Sequence, residues 1–245
     1  MLAEKAAKIP AKRWAYIGFI SEYSKAVYDN FKKRLSELRP DVIWVSYHEQ
    51  PISKLDAPSA INKLSADKPD ALLNLLVVGD QQKFIRAGHT IGFLKKLKTV
   101  VSPNFGLPEE HEGMPATDIP SGWITGGYPI DEIDTPTHVA FVKAFNKKYG
   151  MKPNHTSFIS YITIKAIAAA LEKAKNASTA ARRKAFEDLS FPSPIGPLVI
   201  NKKNHQSTLG FWVGTTAVKD GAFKLMDWSY MPGDKYMPFA KENKP

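Results

Sequence analysis

The first half of the chain alternates short apolar runs with longer segments whose apolar residues recur every three or four positions. The apolar runs, rich in β-branched and aromatic residues, lie at 13–19, 42–45, 72–78, 99–101 and 123–125. Runs of this composition are typical of β-strands. The segments between them follow capping residues such as Ser21 and Asp56 and have helical spacing. Strands that alternate with helices in this way predict repeated βαβ units.

Repeated βαβ units fold as an open, mostly parallel α/β sheet with helices on both faces. The nearly continuous apolar run at 72–78 fits a strand that is buried on both faces of such a sheet. Ligands of open α/β sheets bind beyond the carboxyl ends of the strands. We therefore expect ligand-binding residues in the loops at 20–24, 77–81 and 102–107.

The second half of the chain has a different pattern, in which three helices follow one another before short strands return. The predicted helices lie at 136–150, 156–174 and 178–189. The predicted strands lie at 197–200, 209–218 and 223–226, the last two joined by a hairpin turn at 219–221. The change after residue 128 indicates a boundary between two parts of the fold.

The charge of the chain is strongly positive but dispersed. There are 34 Lys and Arg residues against 24 Asp and Glu residues, a formal net charge of +10. The basic residues form short runs without interleaved aromatic residues, so solvated surfaces are favoured over a nucleic-acid patch. The chain has no Cys, which excludes a disulfide, a thiolate metal site and a Cys nucleophile.

Sequence motifs of common enzyme classes are absent from the chain. It has no Gly-rich dinucleotide loop, no Walker A loop and no nucleophile elbow. The densest cluster of possible metal ligands, Glu109-Glu110-His111-Glu112, falls in a Pro-rich segment and lacks helical spacing, which favours a solvated loop over a metal site. We therefore expect a protein that is not an enzyme, with no catalytic residues, no metal and no cofactor.

Three side chains in the expected ligand loops are candidates for a binding site. Tyr23 begins the first helix, where it either contacts a ligand or packs as an aromatic residue. Asp80 follows the strand at 72–78, where it either lies in the site or caps the next helix. Asn104 follows the strand at 99–101, where its amide either binds a ligand or makes a turn. Backbone N–H groups at the starts of these helices can hold a carboxylate.

Short motifs along most of the chain resemble those of one family and occur in the same order, from about 12 to 237. They are Glu22-Tyr23, Arg39-Pro40-Asp41-Val42, Lys68-Pro69-Asp70-Ala71, Phe84-Ile85-Arg86, Gly122-Trp123-Ile124, Ile133-Asp134-Thr135-Pro136, Gly196-Pro197-Leu198 and Thr216-Ala217-Val218-Lys219-Asp220-Gly221. In these motifs the chain resembles the periplasmic branched-chain amino acid (Leu/Ile/Val-type) binding proteins of ABC transporters.

The resemblance implies the type I periplasmic binding fold, in which two α/β lobes joined by crossover strands enclose a ligand cleft. Residues 12–128 are similar to the second lobe, residues 129–195 to a helical segment of the first lobe, and residues 196–245 to a crossover and the closing strands. The opening βαβ units of the first lobe have no counterpart in this sequence. We therefore expect a chain that lacks most of the first lobe.

The resemblance also implies roles for individual residues. Tyr23 matches a tyrosine that contacts the bound amino acid, and Val77 falls where relatives carry another aromatic contact. Asn104 falls where leucine-type relatives have a carboxylate that pairs with the ligand ammonium group. Because an amide cannot make that charge-assisted hydrogen bond, an aromatic or aliphatic carboxylate without an ammonium group becomes an alternative to an amino acid. Together with Asp80, these residues form the expected ligand site.

Two functions fit the resemblance. The first is a solute-binding component of an ABC transporter, which binds a small amino acid or carboxylate and meets permease subunits in the periplasm. The second is a ligand-sensing regulatory module on the same fold. Residues 1–12 lack the apolar segment of a signal peptide, so we expect a mature, truncated or cytoplasmic chain.

A missing first lobe would leave the helices of residues 129–195 without the sheet on which they pack. We expect Phe158, Ile162, Ile167 and Leu171 to be partly exposed as a result. Large exposed apolar patches mark partner surfaces or aggregation sites. The sequence therefore predicts either a homodimer through these helices or helices that repack on the second lobe.

Overall fold

The computed structural model describes residues 1–175 and 178–237. Its strands are β1 (Arg13–Phe19), β2 (Ile43–Gln50), β3 (Ala71–Leu75), β4 (Thr99–Val101), β5 (Ile124–Gly127), β6 (Leu189–Ser193), β7 (Gly196–Ile200), β8 (Phe211–Lys219) and β9 (Ala222–Met231). Its helices are α1 (Leu2–Ala6), α2 (Glu22–Leu38), α3 (Ala57–Ala66), α4 (Val78–Thr90), α5 (Pro108–His111), α6 (Pro136–Tyr149), α7 (His155–Ala174) and α8 (Thr179–Ala185). Residues 238–245 of the expected closing segment lie outside the described residues.

The chain divides into two compact units. Unit 1 contains Met1–Gly127 and Trp212–Ser229, and unit 2 contains Tyr128–Phe211 with the described part of Tyr230–Pro245. Both units are thus discontinuous in sequence, and the long segment of unit 2, Tyr128–Phe211, lies between the two segments of unit 1. Within the described ranges, no helix combines the length and the apolar character needed to cross a membrane.

A seven-stranded sheet forms the frame of unit 1, in the order β2-β1-β3-β4-β5-β8-β9. The pairs from β2 to β5 are parallel, and β5 pairs with β8 antiparallel. The prediction of an open, mostly parallel α/β sheet is confirmed. The carboxyl ends of β1, β3 and β4 therefore meet at one edge of the sheet, as expected for neighbouring parallel strands.

Helices cover both faces of this sheet because side chains of each strand alternate between the faces. On one face, Ala15 and Ile17 of β1 lie in a buried cluster with Ile61 of α3 and Phe84 of α4. On the other face, aromatic rings dominate. Their ring centroids lie 5.5 Å apart for Trp14 and Phe31, 4.7 Å for Tyr16 and Tyr28, and 5.0 Å for Tyr28 and Trp44.

The strand predicted at 72–78 ends earlier than expected. β3 stops at Leu75 and α4 begins at Val78, so Asp80 lies in the first turn of the helix and is not its N-cap. The physical reason lies in Asn74, whose side-chain Oδ1 accepts a hydrogen bond from the backbone N–H of Leu76 at 2.9 Å. This local turn competes with extended backbone. Apolar composition alone did not reveal it.

Unit 2 contains the three predicted helices and a hairpin of which only one strand was predicted. The helix expected to run to residue 189 ends at Ala185, and Leu189 begins β6, which pairs antiparallel with β7. Leu189, Phe191 and Ser193 are buried while Ser190 and Pro192 are exposed, the period of two that a half-buried strand requires. Pro192 within this short run hid the strand signal, because Pro disfavours strand interiors.

The burial of α7 only partly follows the prediction. Phe158 and Ile162 were expected to be exposed, and this expectation is wrong: the Phe158 side chain is fully buried and that of Ile162 nearly so. Phe158 packs against the rings of Tyr128, at 4.9 Å, and Phe141, at 6.1 Å. These partners come from outside α7, so the helix buries one face within unit 2 without any further sheet.

The opposite face of α7 is apolar and exposed. Its exposed apolar residues are Tyr161, Ile164, Ile167 and Leu171, and we call them the α7 stripe. They recur at spacings of three and four, so they share one side of the helix. Tyr161 and Ile164 also line a groove of about 610 Å³ between α6 and α7. Unit 2 therefore presents exposed apolar side chains along one side of α7.

Candidate ligand-binding site

The four expected site residues follow three adjacent strands of unit 1. Tyr23 lies in the first turn of α2, directly after β1. Val77 precedes α4, and Asp80 lies in the first turn of that helix, after β3. Asn104 follows β4. Because β1, β3 and β4 are neighbours in the sheet, these positions lie along the edge where open α/β sheets bind ligands.

Tyr23 and Asn104 are in direct contact. Nδ2 of Asn104 donates to the Tyr23 hydroxyl at 3.2 Å, and the hydroxyl lies 3.5 Å from Oδ1 of the same amide. The Phe19 ring is stacked against the Tyr23 ring with a centroid distance of 6.3 Å. Tyr23 is 47% exposed. The pair is therefore accessible, neutral, and able both to donate and to accept hydrogen bonds.

Local interactions fix the two loops that carry this pair. Ser21 is the N-cap of α2, and its side chain accepts from the backbone N–H of Ser24 at 3.0 Å. On the other loop, the backbone N–H of Gly106 donates to the Thr125 hydroxyl at 2.8 Å. A Cβ at Gly106 would lie 2.2 Å from the Gly126 carbonyl oxygen, so only glycine permits this approach. The contact between Tyr23 and Asn104 thus joins two loops that are each held by a local hydrogen bond.

Val77 and Asp80 are placed differently. Val77 is partly exposed and occupies the N-cap position of α4. Asp80 is only 4% exposed, and its carboxylate oxygens accept no hydrogen bond from any described residue. Its charged neighbour is Lys83, with Nζ 3.6 Å from Oδ1, and the positive end of the α4 dipole also favours the carboxylate. Across the described residues, no hydrogen bond links Val77 or Asp80 to the Tyr23–Asn104 pair.

A buried hydrogen bond connects the loop after β4 to the helix after β3. Nε2 of Gln81 donates to the Ser102 hydroxyl at 3.0 Å, and both residues are buried. The sequence pattern gave no signal for this pair, because Gln and Ser are ordinarily exposed. The hydrogen bond fixes the spacing between the two loops on which Val77 and Asn104 lie.

The cluster at 109–112 is not the solvated loop that the sequence predicted. Pro108–His111 forms the short helix α5, and Glu110 is only 7% exposed. Oε2 of Glu110 accepts from the backbone N–H of Val78 at 2.6 Å, while the His111 ring is stacked against Phe223 at 4.2 Å. Burial raises the pKa of Glu110 and lowers the pKa of His111. The error arose because a helix of one turn leaves no periodic pattern to read.

Among the described residues, no group of three or more His, Asp or Glu side chains is arranged to hold a metal ion. The candidate site therefore offers hydrogen bonding and ring contacts through Tyr23, Asn104 and Phe19.

Sequence comparison gives one strong result. Residues 2–222 match the model of a family described as "Periplasmic binding protein". No curated protein matches the chain significantly.

Comparison with solved structures gives consistent fold matches. A leucine-, isoleucine-, valine-, threonine- and alanine-binding protein from Brucella ovis has 17% identity and a TM-score of 0.81, with 97% of this chain and 62% of that chain covered. An R. palustris ABC transporter solute-binding protein in complex with 4-hydroxybenzoate has 19% identity and a TM-score of 0.75, with 93% and 63% covered. An amino acid ABC transporter substrate-binding protein from Pseudomonas fluorescens has 18% identity and a TM-score of 0.76, with 95% and 61% covered.

The low identity and the partial coverage limit what these matches show. At identities below 20%, they support the fold and not a shared ligand. The chain spans somewhat less than two thirds of the length of these proteins, 61–63%. Two of them carry amino acid names and one holds an aromatic acid, so ligand class varies within this fold.

Proposed function

Because the chain belongs to the periplasmic binding protein family, we propose that it is part of an ABC transporter solute-binding protein whose ligand is a small carboxylate. In this proposal residues 12–128 act as the second lobe of the whole protein, residues 129–195 belong to its first lobe, and residues 196–245 supply a crossover and closing strands. The permease subunits of the transporter are its protein partners, and the periplasm is its location. The protein binds and releases its ligand without chemistry.

The Tyr23–Asn104 pair is the observation that carries this proposal. A buried or half-buried ammonium group needs a carboxylate partner to offset its desolvation. The pair instead presents a phenol hydroxyl and an amide, with the Phe19 ring beside them. Such groups suit a ligand hydroxyl and an aromatic ring. An aromatic hydroxy acid is therefore favoured over an amino acid at this end of the site.

The similar solved structures support transport over regulation. Those described above are named as binding proteins, two of them as ABC transporter components. The solved 4-hydroxybenzoate complex shows that this fold can hold an aromatic hydroxy acid. The regulatory module stays an alternative that none of these similarities favours.

The test is a titration of the 15N-labelled chain with 4-hydroxybenzoate and, separately, with L-leucine, followed by NMR. We expect 4-hydroxybenzoate to shift the signals of Phe19, Tyr23 and Asn104, with a Kd in the range of about 1 mM, worth roughly −4 kcal/mol. Such weak affinity is expected because this chain covers only part of its relatives. L-leucine should shift the same signals less.

Two variants sharpen the test. Tyr23→Phe removes the hydroxyl and should weaken 4-hydroxybenzoate binding about tenfold, since one hydrogen bond is lost. Asn104→Asp introduces the carboxylate that an ammonium ligand needs and should reverse the preference toward L-leucine. Asn62→Asp, at an exposed position on α3, makes the same chemical change and should leave both affinities unaltered. Absence of any shift at Tyr23 and Asn104 with either probe would refute the proposed function.

A further inference from the structure

Val78, the first residue of α4, has a backbone conformation that β-branched residues rarely adopt. Its φ is +44°, in the left-handed region where Cβ lies too close to the following carbonyl oxygen. The neighbouring Gly79, which would adopt this conformation at no steric cost, stands one position later. An interaction with another part of unit 1 must therefore stabilise Val78 in this conformation.

Glu110 provides that interaction. Its Oε2 accepts from the backbone N–H of Val78 at 2.6 Å, across 32 residues of sequence. Hydrogen bonds to an ionised carboxylate are about twice as strong as neutral ones. The N-cap residue of α4 is Val77, which has no side chain able to cap the helix. Glu110 thus satisfies a backbone donor at the start of α4 that the sequence of the helix leaves open.

Glu110 is itself fixed in place. Nε2 of Gln82 on α4 donates to the Glu112 carbonyl oxygen at 3.3 Å, which ties α5 to α4. The carboxylate of Glu110 is buried, and a buried charge is costly without a hydrogen-bond donor. Burial raises the pKa of Glu110, while the hydrogen bond from Val78 acts in the opposite direction. The strained residue and the buried carboxylate therefore stabilise each other.

We propose that Glu110 is a positioning residue: its carboxylate holds Val78 in the left-handed conformation and so fixes the turn that carries Val77 and Asp80. Val78 is 52% exposed, so packing of its own side chain contributes little to this geometry. The claim that Glu110 fixes this turn does not depend on the proposed function. The further claim that the turn affects ligand binding rests on the proposed function.

The first test measures the turn without any ligand, by NMR hydrogen exchange of the Val78 amide and by urea unfolding. Glu110→Leu removes the acceptor and should speed exchange of that amide roughly tenfold to a hundredfold. Glu110→Gln keeps an acceptor oxygen of the same reach and should change it much less. In the Glu110→Leu background, Val78→Gly should restore stability because glycine adopts positive φ freely.

Val78→Ala is the matched control for this rescue, because alanine also shortens the side chain but keeps Cβ. It should not restore stability in the Glu110→Leu background. Equal behaviour of the glycine and alanine variants, or an unchanged Val78 exchange rate in Glu110→Leu, would overturn the proposal.

A second test uses 4-hydroxybenzoate as the probe on the same variants. Glu110→Leu should weaken binding several-fold, and the added Val78→Gly should recover part of it. If the wild type and Glu110→Leu bind the probe with equal affinity, Glu110 has no effect on ligand binding, and the proposed function is unaffected. If the probe binds no variant, the proposed function fails, and the exchange and rescue data alone decide whether Glu110 fixes the turn.

Discussion

Unit 1 and unit 2 bury their apolar residues to different degrees. In unit 1, β1 and β3 are almost entirely buried, since α2 covers one face of the sheet and α3 with α4 covers the other. In unit 2, α7 buries Phe158 and Ile162 but leaves the α7 stripe exposed. Four of the exposed apolar residues of unit 2 share one face of α7, whereas those of unit 1 are spread over several elements.

The difference shows that a unit can bury one side of a helix and still leave apolar side chains exposed on the other side. The sheet of unit 1 has all the layers that an open α/β sheet requires. In unit 2, α7 has an inner face that is buried within the unit and an outer face whose apolar side chains, the α7 stripe, are 39–63% exposed. The α7 stripe is thus the part of the molecule from which a partner surface is expected.

Truncation of one core aromatic residue in each unit tests whether the two cores are independent. Phe158→Ala should lower the free energy of unfolding of unit 2 by about 3–5 kcal/mol, the usual cost of removing a buried phenylalanine. Phe84→Ala is the matched change in unit 1, where that side chain is also fully buried. Hydrogen exchange with mass spectrometry reports each unit separately. Loss of protection in β1 after Phe158→Ala would show that the two units unfold together. The two cores would then not be independent.

A titratable pair in the core of unit 2 predicts a pH dependence of its stability. Nδ1 of His138 lies 3.1 Å from the Ile133 carbonyl oxygen, so it carries the proton, and Nε2 accepts from the Tyr128 hydroxyl at 2.6 Å. Burial lowers the pKa of His138 in the folded chain. As pH falls below about 6.5, the unfolded chain therefore binds the proton first.

The free energy of unfolding should consequently fall in that window, by at most about 1.4 kcal/mol per pH unit for this one group. The loss continues until the pH passes the lowered pKa of the folded chain. Urea unfolding at pH 7.5 and lower values measures this slope, and His138→Gln should reduce it by the share of this group, while the lowered pKa of His111 leaves a remaining slope. His205→Gln, at an exposed position, should leave the slope as it is. A slope unaffected by His138→Gln would contradict the assignment.

Ile164→Glu in the α7 stripe tests whether the exposed surface binds a partner. Of the variants proposed here, it should change stability least. Ile164 is 63% exposed, so stability should change by less than about 0.5 kcal/mol. If the stripe mediates the expected homodimer, the variant should shift sedimentation toward monomer. Ile52→Glu, a comparably exposed position in unit 1, should not. A wild-type chain that is already monomeric at high concentration would exclude the homodimer.

The elements that the sequence predicted well are those with their own local signals. Ser21 and Asp56 begin α2 and α3 because each side chain caps its own helix, and both N-caps are in place. The contact between Tyr23 and Asn104 was not predicted. The sequence placed each residue only in a loop that follows a strand of the same sheet, because parallel strands end at one edge.

The features that the sequence did not reveal depend on distant partners. Glu110 is buried and accepts a hydrogen bond from the N–H of Val78, which lies 32 residues away in sequence. Phe158 is buried because Tyr128 and Phe141 cover it. Neither periodicity nor composition reports such contacts. β6 was missed for the opposite reason, since Pro192 masks an alternation that tertiary packing nonetheless enforces.

Because β5 pairs antiparallel with β8, unit 1 can be encoded as one continuous chain without the residues of unit 2 that lie between these strands. Gly127 and Trp212 are direct partners across that ladder, although 84 residues separate them along the chain. A two-residue Asn-Gly turn suits a junction of this kind. Joining the two residues through such a turn would yield a continuous polypeptide for unit 1 alone. It would carry Tyr23, Asn104 and Glu110 in a protein small enough for detailed NMR work.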